Sequence, residues 1–164
     1  MVIILDDTGI SALRKEYFAR VATWFVKRGS KVMLLGDENE WQLCEDIKKQ
    51  CGQQVYNMSG KWSLKETAAA ISLAKMVITN DNGLMHIASA LKVPVVAIFG
   101  PTLPYKNAPW RNSCRIVRNE IKCVPCYNFR EFSCPDGIKC LTELSPEKVI
   151  EAIQNLDRQV KCLN

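Results

Sequence analysis

Five consecutive apolar residues, Val95-Val96-Ala97-Ile98-Phe99, closed by Gly100-Pro101, constrain this chain more than any other segment. A strand with one wet face alternates apolar with polar side chains, whereas an unbroken apolar run is the pattern of a parallel strand covered on both faces. Further β-branched runs at 2–5, 31–35, 54–57, 76–79 and 115–117 read as companion strands.

Amphipathic stretches separate them. Over 11–27, Leu13, Tyr17, Val21, Trp24 and Phe25 recur at helical spacing until Gly29 ends the pattern. A second helix is expected over 38–51, stopped by Gly52. A third opens at Ser63, whose hydroxyl can cap while Glu66 reaches back, and should end near Ala74. The fourth is expected over 86–91. This alternation calls for an α/β fold, a Rossmann-like doubly wound parallel sheet with ligand chemistry at the carboxyl ends of its strands. Residues 101–113 read as loop, 122–141 as a cysteine-rich loop, and Ser145-Pro146 as the start of a last helix over 145–156. With 164 residues, 48% of them hydrophobic, one domain spanning 1–164 is expected.

The formal charge of +5 either favours a phosphate-bearing partner or is an ordinary solvated surface. No apolar run approaches the roughly 20 residues that span a bilayer, and the first residues lack a basic segment, so a soluble, cytoplasmic protein is expected. Eight cysteines in such a setting point to metal or free thiols before a disulfide scaffold.

The strongest local signal is Asn80-Asp81-Asn82-Gly83-Leu84-Met85-His86, where a strand gives way to a helix through a polar turn with a glycine. Unpaired helical N–H groups and the positive end of the helix dipole favour a phosphate there, and Gly83 lets it approach the backbone. Asp81 either caps this helix or contacts the ligand. His86, the one histidine, is either packed in the core or donates to the phosphates.

The segment from Asp81 to Leu91, followed by Val93-Pro94 and Val95 to Thr102, resembles the signature of glycosyltransferase family 9, which holds the ADP-heptose heptosyltransferases. Gly60-Lys61-Trp62-Ser63-Leu64, Leu35-Gly36 with Glu40, Cys123-Val124-Pro125-Cys126 and Leu144-Ser145-Pro146-Glu147 add similar stretches. The resemblance implies the C-terminal, donor-binding half of a GT-B enzyme, with an N-terminal acceptor domain missing from this chain. It implies that Asp81, Asn82, Gly83, Leu84, Met85 and His86 bind the donor diphosphate, that Glu40 contacts the ribose, and that Gly60 and Lys61 lie by the base. It further implies inverting transfer from an ADP-sugar to a glycolipid of the lipopolysaccharide core, with no metal required for transfer, no nucleic acid partner, and a place at the inner membrane surface.

Departures from the family pattern are Asn82, where Ser or Thr is usual, and Leu103, where Asp is usual. The first loop, Asp6-Asp7-Thr8-Gly9-Ile10-Ser11, is acidic where the family offers a lysine, leaving Arg14 and Lys15 as the nearest cations, with Lys15 the candidate phosphate contact. The expected catalytic base belongs to the missing domain, so the isolated chain should bind donor without turnover. The alternative is a non-catalytic nucleotide-sugar or metal-binding module.

Cys123-x2-Cys126-x7-Cys134-x5-Cys140 offers four thiols to one Zn or Fe ion. Two local disulfides or unligated thiols are the other readings. Cys44, Cys51, Cys114 and Cys162 are scattered, and a small buried or incidental residue is the default for each. Trp62 either stacks on a base or covers the core, and Tyr105 and Trp110 either touch the sugar or form an exposed interface. Arg130 and Lys139 either meet an anionic acceptor or are solvated.

Overall fold

The computed structural model describes residues 2–4, 15–126, 134–135 and 137–162. Six parallel strands, β1 Val2–Ile4, β2 Val32–Leu35, β3 Val55–Asn57, β4 Val77–Asn80, β5 Val95–Phe99 and β6 Cys114–Arg118, form one sheet in the order β3-β2-β1-β4-β5-β6. Every pairing is parallel, with Ile3 opposite Ile78 and Asn80 opposite Ile98. The helices are α1 Lys15–Val26, α2 Trp41–Cys51, α3 Leu64–Ser72, α4 Gly83–Ala90, α5 Pro104–Asn107, α6 Lys139–Thr142 and α7 Pro146–Lys161.

The apolar run at 95–99 is continuous because each face of β5 meets a different core. Val96 and Ile98 join Ile78 against α1 and α7, while Val95, Ala97 and Phe99 join Val77 against Met85 and Ala88 of α4 and Ile71 of α3. All five residues of β5 are buried. Each such side chain removed from water contributes about 1.5–3 kcal/mol, so this strand anchors both layers.

Element ends follow side-chain hydrogen bonds. Residues 37–40 stay out of α2 because the Asp37 carboxylate accepts the Asn39 and Glu40 amides, at 2.8 and 3.2 Å, and holds a turn there. The helix therefore starts at Trp41 rather than 38. At α4 the start moves the other way, from 86 to Gly83, because the Asn82 side chain accepts the Met85 amide at 3.0 Å and stabilises an earlier first turn. Within the segment expected to be loop, Pro104 opens the single turn of α5, and α6 adds a turn inside the cysteine-rich stretch. α7 continues past Leu156 to Lys161, because Val160 extends the Val149, Ile153, Leu156 stripe on the first core and Asp157 pairs with Lys161 at 2.6 Å. No helix among the described residues is long and apolar enough to cross a membrane.

The capping box expected at α3 is complete. The Ser63 hydroxyl accepts the Glu66 amide, and the Glu66 carboxylate accepts the Ser63 amide at 2.8 Å. The Ser63 hydroxyl also donates to the Glu66 carboxylate at 2.7 Å, and this bond, with that from the Ser63 amide, holds the Glu66 carboxyl below its usual value. A carboxyl depressed in the folded state stabilises above its unfolded value, about 4.3, and that contribution disappears as pH falls through the folded value. The wild-type chain should therefore melt above Glu66→Gln at pH 7, and the gap should close as the pH is lowered from about 5. A gap that persists at pH 2 in thermal melts would contradict this.

Candidate functional site

In the order β3-β2-β1-β4-β5-β6 the chain winds one way from β1 and the other way from β4, which opens a crevice at the carboxyl ends of these two strands. β4 delivers Asp81, Asn82 and Gly83 to it. Asn82 is the N-cap of α4, correcting the alternative that gave this role to Asp81. The Asp81 carboxylate instead accepts the Asn107 side-chain amide of α5 at 3.0 Å. Gly83 is exposed, and a Cβ built on it would meet nothing within 4 Å. Asn82 satisfies the Met85 amide, so the Gly83 and Leu84 amides of the first turn remain without an intrahelical acceptor.

His86 is exposed on α4 and is no core residue. Leu84 packs half-buried on the second core, and Met85 is fully buried there. Neither the Met85 side chain nor its amide is offered to a ligand, so Met85 departs from the expected set of contacts. Asn107 was not read from sequence. It lies 26 positions from Asp81 in a segment that read as loop, and no spacing rule joins the two.

The carboxyl ends of β2 and β3 form a second wall along the same sheet edge. Glu40 is buried at 4% exposure, and its Oε2 accepts the Asp37 amide at 2.9 Å. Its carboxylate fills the space where a side chain on Gly36 would begin, so any larger residue at 36 would have to displace it. Gly60 adopts φ +66°, a left-handed conformation, and a Cβ there would lie 2.8 Å from Glu38 Cγ. Its amide donates to the Gly36 carbonyl at 3.0 Å, which ties the two loops together.

Lys61 donates its ammonium to the Asn57 carbonyl at 2.9 Å. Asn57 in turn donates to Glu45 at 3.1 Å, and this bond keeps the Glu45 carboxyl below its usual value. The structure therefore gathers Gly36, Glu40, Gly60 and Lys61 in one place. Trp62 is half-buried on the second core, which agrees with the covering alternative for it. Lys15 is the first residue of α1; its side chain, Arg14 and residues 6–11 lie outside the described residues.

Every cysteine is a free thiol, so the disulfide alternative does not hold. Cys123 and Cys126 are exposed, Cys134 half-buried and Cys140 buried. Cys134 accepts the Ile138 amide at 3.2 Å. The Cys140 thiol is pushed up to about 11, first by burial and then by the nearness of Cys126, Cys123 and Cys134. Those thiols share one neighbourhood, yet among the described residues no group of three or more His, Cys, Asp or Glu is arranged to hold a metal ion. The expected four-thiolate shell is thus not assembled among the described residues. Cys44 is buried, and Cys51 is half-buried and donates to the Ala19 carbonyl at 3.2 Å. Tyr105 and Trp110 are exposed, as is Lys139, whereas Arg130 lies outside the described residues.

Sheet order, crossovers and an open helix start at the switch point define a Rossmann-like α/β domain. The model of glycosyltransferase family 9 (heptosyltransferase) matches residues 14–133, and the chain belongs to that family. It is 36% identical over 146 residues to lipooligosaccharide heptosyltransferase 2 of Campylobacter jejuni, covering 86% of this chain and 45% of that protein. Among solved structures, the Escherichia coli ADP-heptose lps heptosyltransferase II superposes with a TM-score of 0.78 at 24% identity, over 98% of this chain and 47% of that one. The iron-containing dodecameric glycosyltransferase TibC of enterotoxigenic E. coli gives 0.72 at 20% identity, over 97% and 45%. These structural likenesses show that the fold is shared with GT-B heptosyltransferases. The chain spans about half the length of the relatives it matches.

Two glycines separate packing from ligand access. Gly36→Ala should lower stability in urea unfolding by about 1–3 kcal/mol, because the new methyl displaces the Glu40 carboxylate. Gly83→Ala should leave stability unchanged or raise it by up to about 1 kcal/mol, since the space is open and alanine favours the helix. Equal losses in both variants would contradict this geometry.

Proposed function

We propose that this chain is the donor-binding domain of an inverting glycosyltransferase, taking a nucleotide-sugar of the ADP-heptose kind in lipopolysaccharide core or related glycan assembly. The observation that carries this reading is the exposed, unobstructed Gly83 at the first turn of α4, beside the switch-point crevice. Backbone amides and the helix dipole act there as fixed positive charge for a diphosphate. His86, exposed on the same turn, adds a side-chain donor. Glu40, two strands away along the sheet edge, is a buried acceptor for ribose hydroxyls, with Gly60 and Lys61 bordering the base. Lys15 supplies a cation at the start of α1.

In this reading a carboxylate of the missing N-terminal domain deprotonates the acceptor hydroxyl. That oxygen attacks the anomeric carbon with inversion, and the nucleoside diphosphate leaves. The part played by this chain is electrostatic: its preorganised amides stabilise the charge growing on the departing diphosphate without reorganising. No metal is required for that step. The acceptor is a glycolipid, which places the whole enzyme in the cytoplasm against the inner membrane.

A second reading concerns the cysteine-rich segment and is favoured by the mutual influence of its four thiols. Cys123, Cys126, Cys134 and Cys140 would hold Zn or Fe as thiolates, and the ion would supply a structural cross-link between the segment and α6. Elemental analysis of chain purified under reducing conditions should find about one metal per chain, lost in Cys123→Ser/Cys126→Ser. Metal-free wild-type chain that melts no higher with added Zn or Fe would overturn this.

For the donor, calorimetric titration with ADP, UDP, GDP and an ADP-sugar is expected to show binding selective for ADP and its sugar. Asp81→Ala/His86→Ala should weaken that binding at least about tenfold. A wild-type chain that binds no nucleotide would overturn the donor reading and leave a non-catalytic module in its place.

A further inference from the structure

Asn80, the last residue of β4, is 6% exposed, and both Nδ2 and Oδ1 of its carboxamide are buried without a hydrogen-bond partner. Asn82 Nδ2 and Thr102 Oγ1 are in the same condition. Most of the buried orphan atoms among the described residues therefore lie at the carboxyl end of β4 or in the turns leaving β4 and β5. Folded proteins rarely leave such groups unsatisfied, and a carboxamide with no partner on either atom destabilises the ligand-free chain. An apolar side chain of the same size would fill this position more favourably. No hydrogen-bond partner among the described residues explains the asparagine.

Its position supplies a reason. Side chains alternate along β4, so Asn80 shares the face of Ile78, which packs in the α1 layer, whereas α4 leaves β4 toward the opposite layer. Asn80 thus ends β4 at the carboxyl edge of the sheet where the switch-point crevice opens, on the face opposite α4. One orphan donor beside one orphan acceptor calls for a ligand that presents an acceptor and a donor side by side. A sugar joined to a diphosphate does so, with phosphate oxygens next to hydroxyl groups.

We propose that Asn80 contacts the donor directly, its Nδ2 donating to a diphosphate oxygen and its Oδ1 accepting from a hydroxyl of the attached sugar. This rests on the donor-binding reading and assigns to that site a neutral group. Being uncharged, the carboxamide gives a phosphate oxygen a hydrogen bond and gives a sugar hydroxyl an acceptor. A carboxylate at the same place would repel the phosphate.

The test compares wild type, Asn80→Leu and Asn80→Asp by thermal melting and by titration with adenosine, ADP and an ADP-sugar. Without ligand, Asn80→Leu should melt at or above the wild type, because an unsatisfied group has gone. Its affinity for ADP should fall about tenfold, that for the ADP-sugar should fall further, and that for adenosine should not change. Asn80→Asp should lose ADP at neutral pH and regain part of the affinity as the carboxyl protonates. Wild-type binding that Asn80→Leu matches would overturn the assignment while leaving the donor reading standing. A variant that melts lower and still binds would make Asn80 a structural residue. Failure of the wild type to bind any of the three ligands would remove both.

Discussion

The burial of β4 and β5 on both faces is the constraint from which the rest of the structure follows. All nine residues of these two strands are buried, so their backbone groups have no water and must be satisfied by the parallel ladder. Such a pair needs helices on both sides. The chain meets that need by sending α1 and α7 to one face and α3 and α4 to the other. It also decides where chemistry sits, because side chains turn polar only where the apolar strands stop, at Thr79 and Asn80 on β4 and after Phe99 on β5.

Much of this is legible without coordinates. Val95 to Phe99 predicts a doubly covered strand because period-2 alternation is absent, and Ser63 with Glu66 predicts a helix start because both partners of the capping box are local. Local chemistry fails where two residues offer the same group. Asp81 and Asn82 each carry an oxygen able to cap α4, and only the backbone direction after β4 selects Asn82. The strand-to-helix turn then begins the helix at Gly83, earlier than the run of small residues suggests. Contacts between distant segments are the other blind spot. Asn107 bonding to Asp81 depends on how α5 folds back over the sheet edge, and no periodicity encodes it.

Family membership and geometry bear on different parts of the candidate site. The motif residues fall on two walls of one sheet edge, with Gly36, Glu40, Gly60 and Lys61 on one and Asp81 to His86 on the other. Within the second wall the structure divides labour that the motif leaves uniform: Met85 holds the core, Leu84 packs beside it, Asn82 caps, Asp81 bonds to α5, and Gly83 and His86 stay exposed. Residue spacing in such a segment thus reflects packing demands as much as recognition.

The hydrogen bond from the Gly60 amide to the Gly36 carbonyl joins the loops after β2 and β3. With Glu40 close against Gly36 and Glu38 against Gly60, neither position has free space for a side chain. A molecule entering this part of the crevice would meet loops already tied to each other, so little chain entropy would be surrendered on association. Rigid templates of this kind discriminate by shape: a ring of the wrong outline finds no compensating movement, and selectivity is set before the ligand arrives.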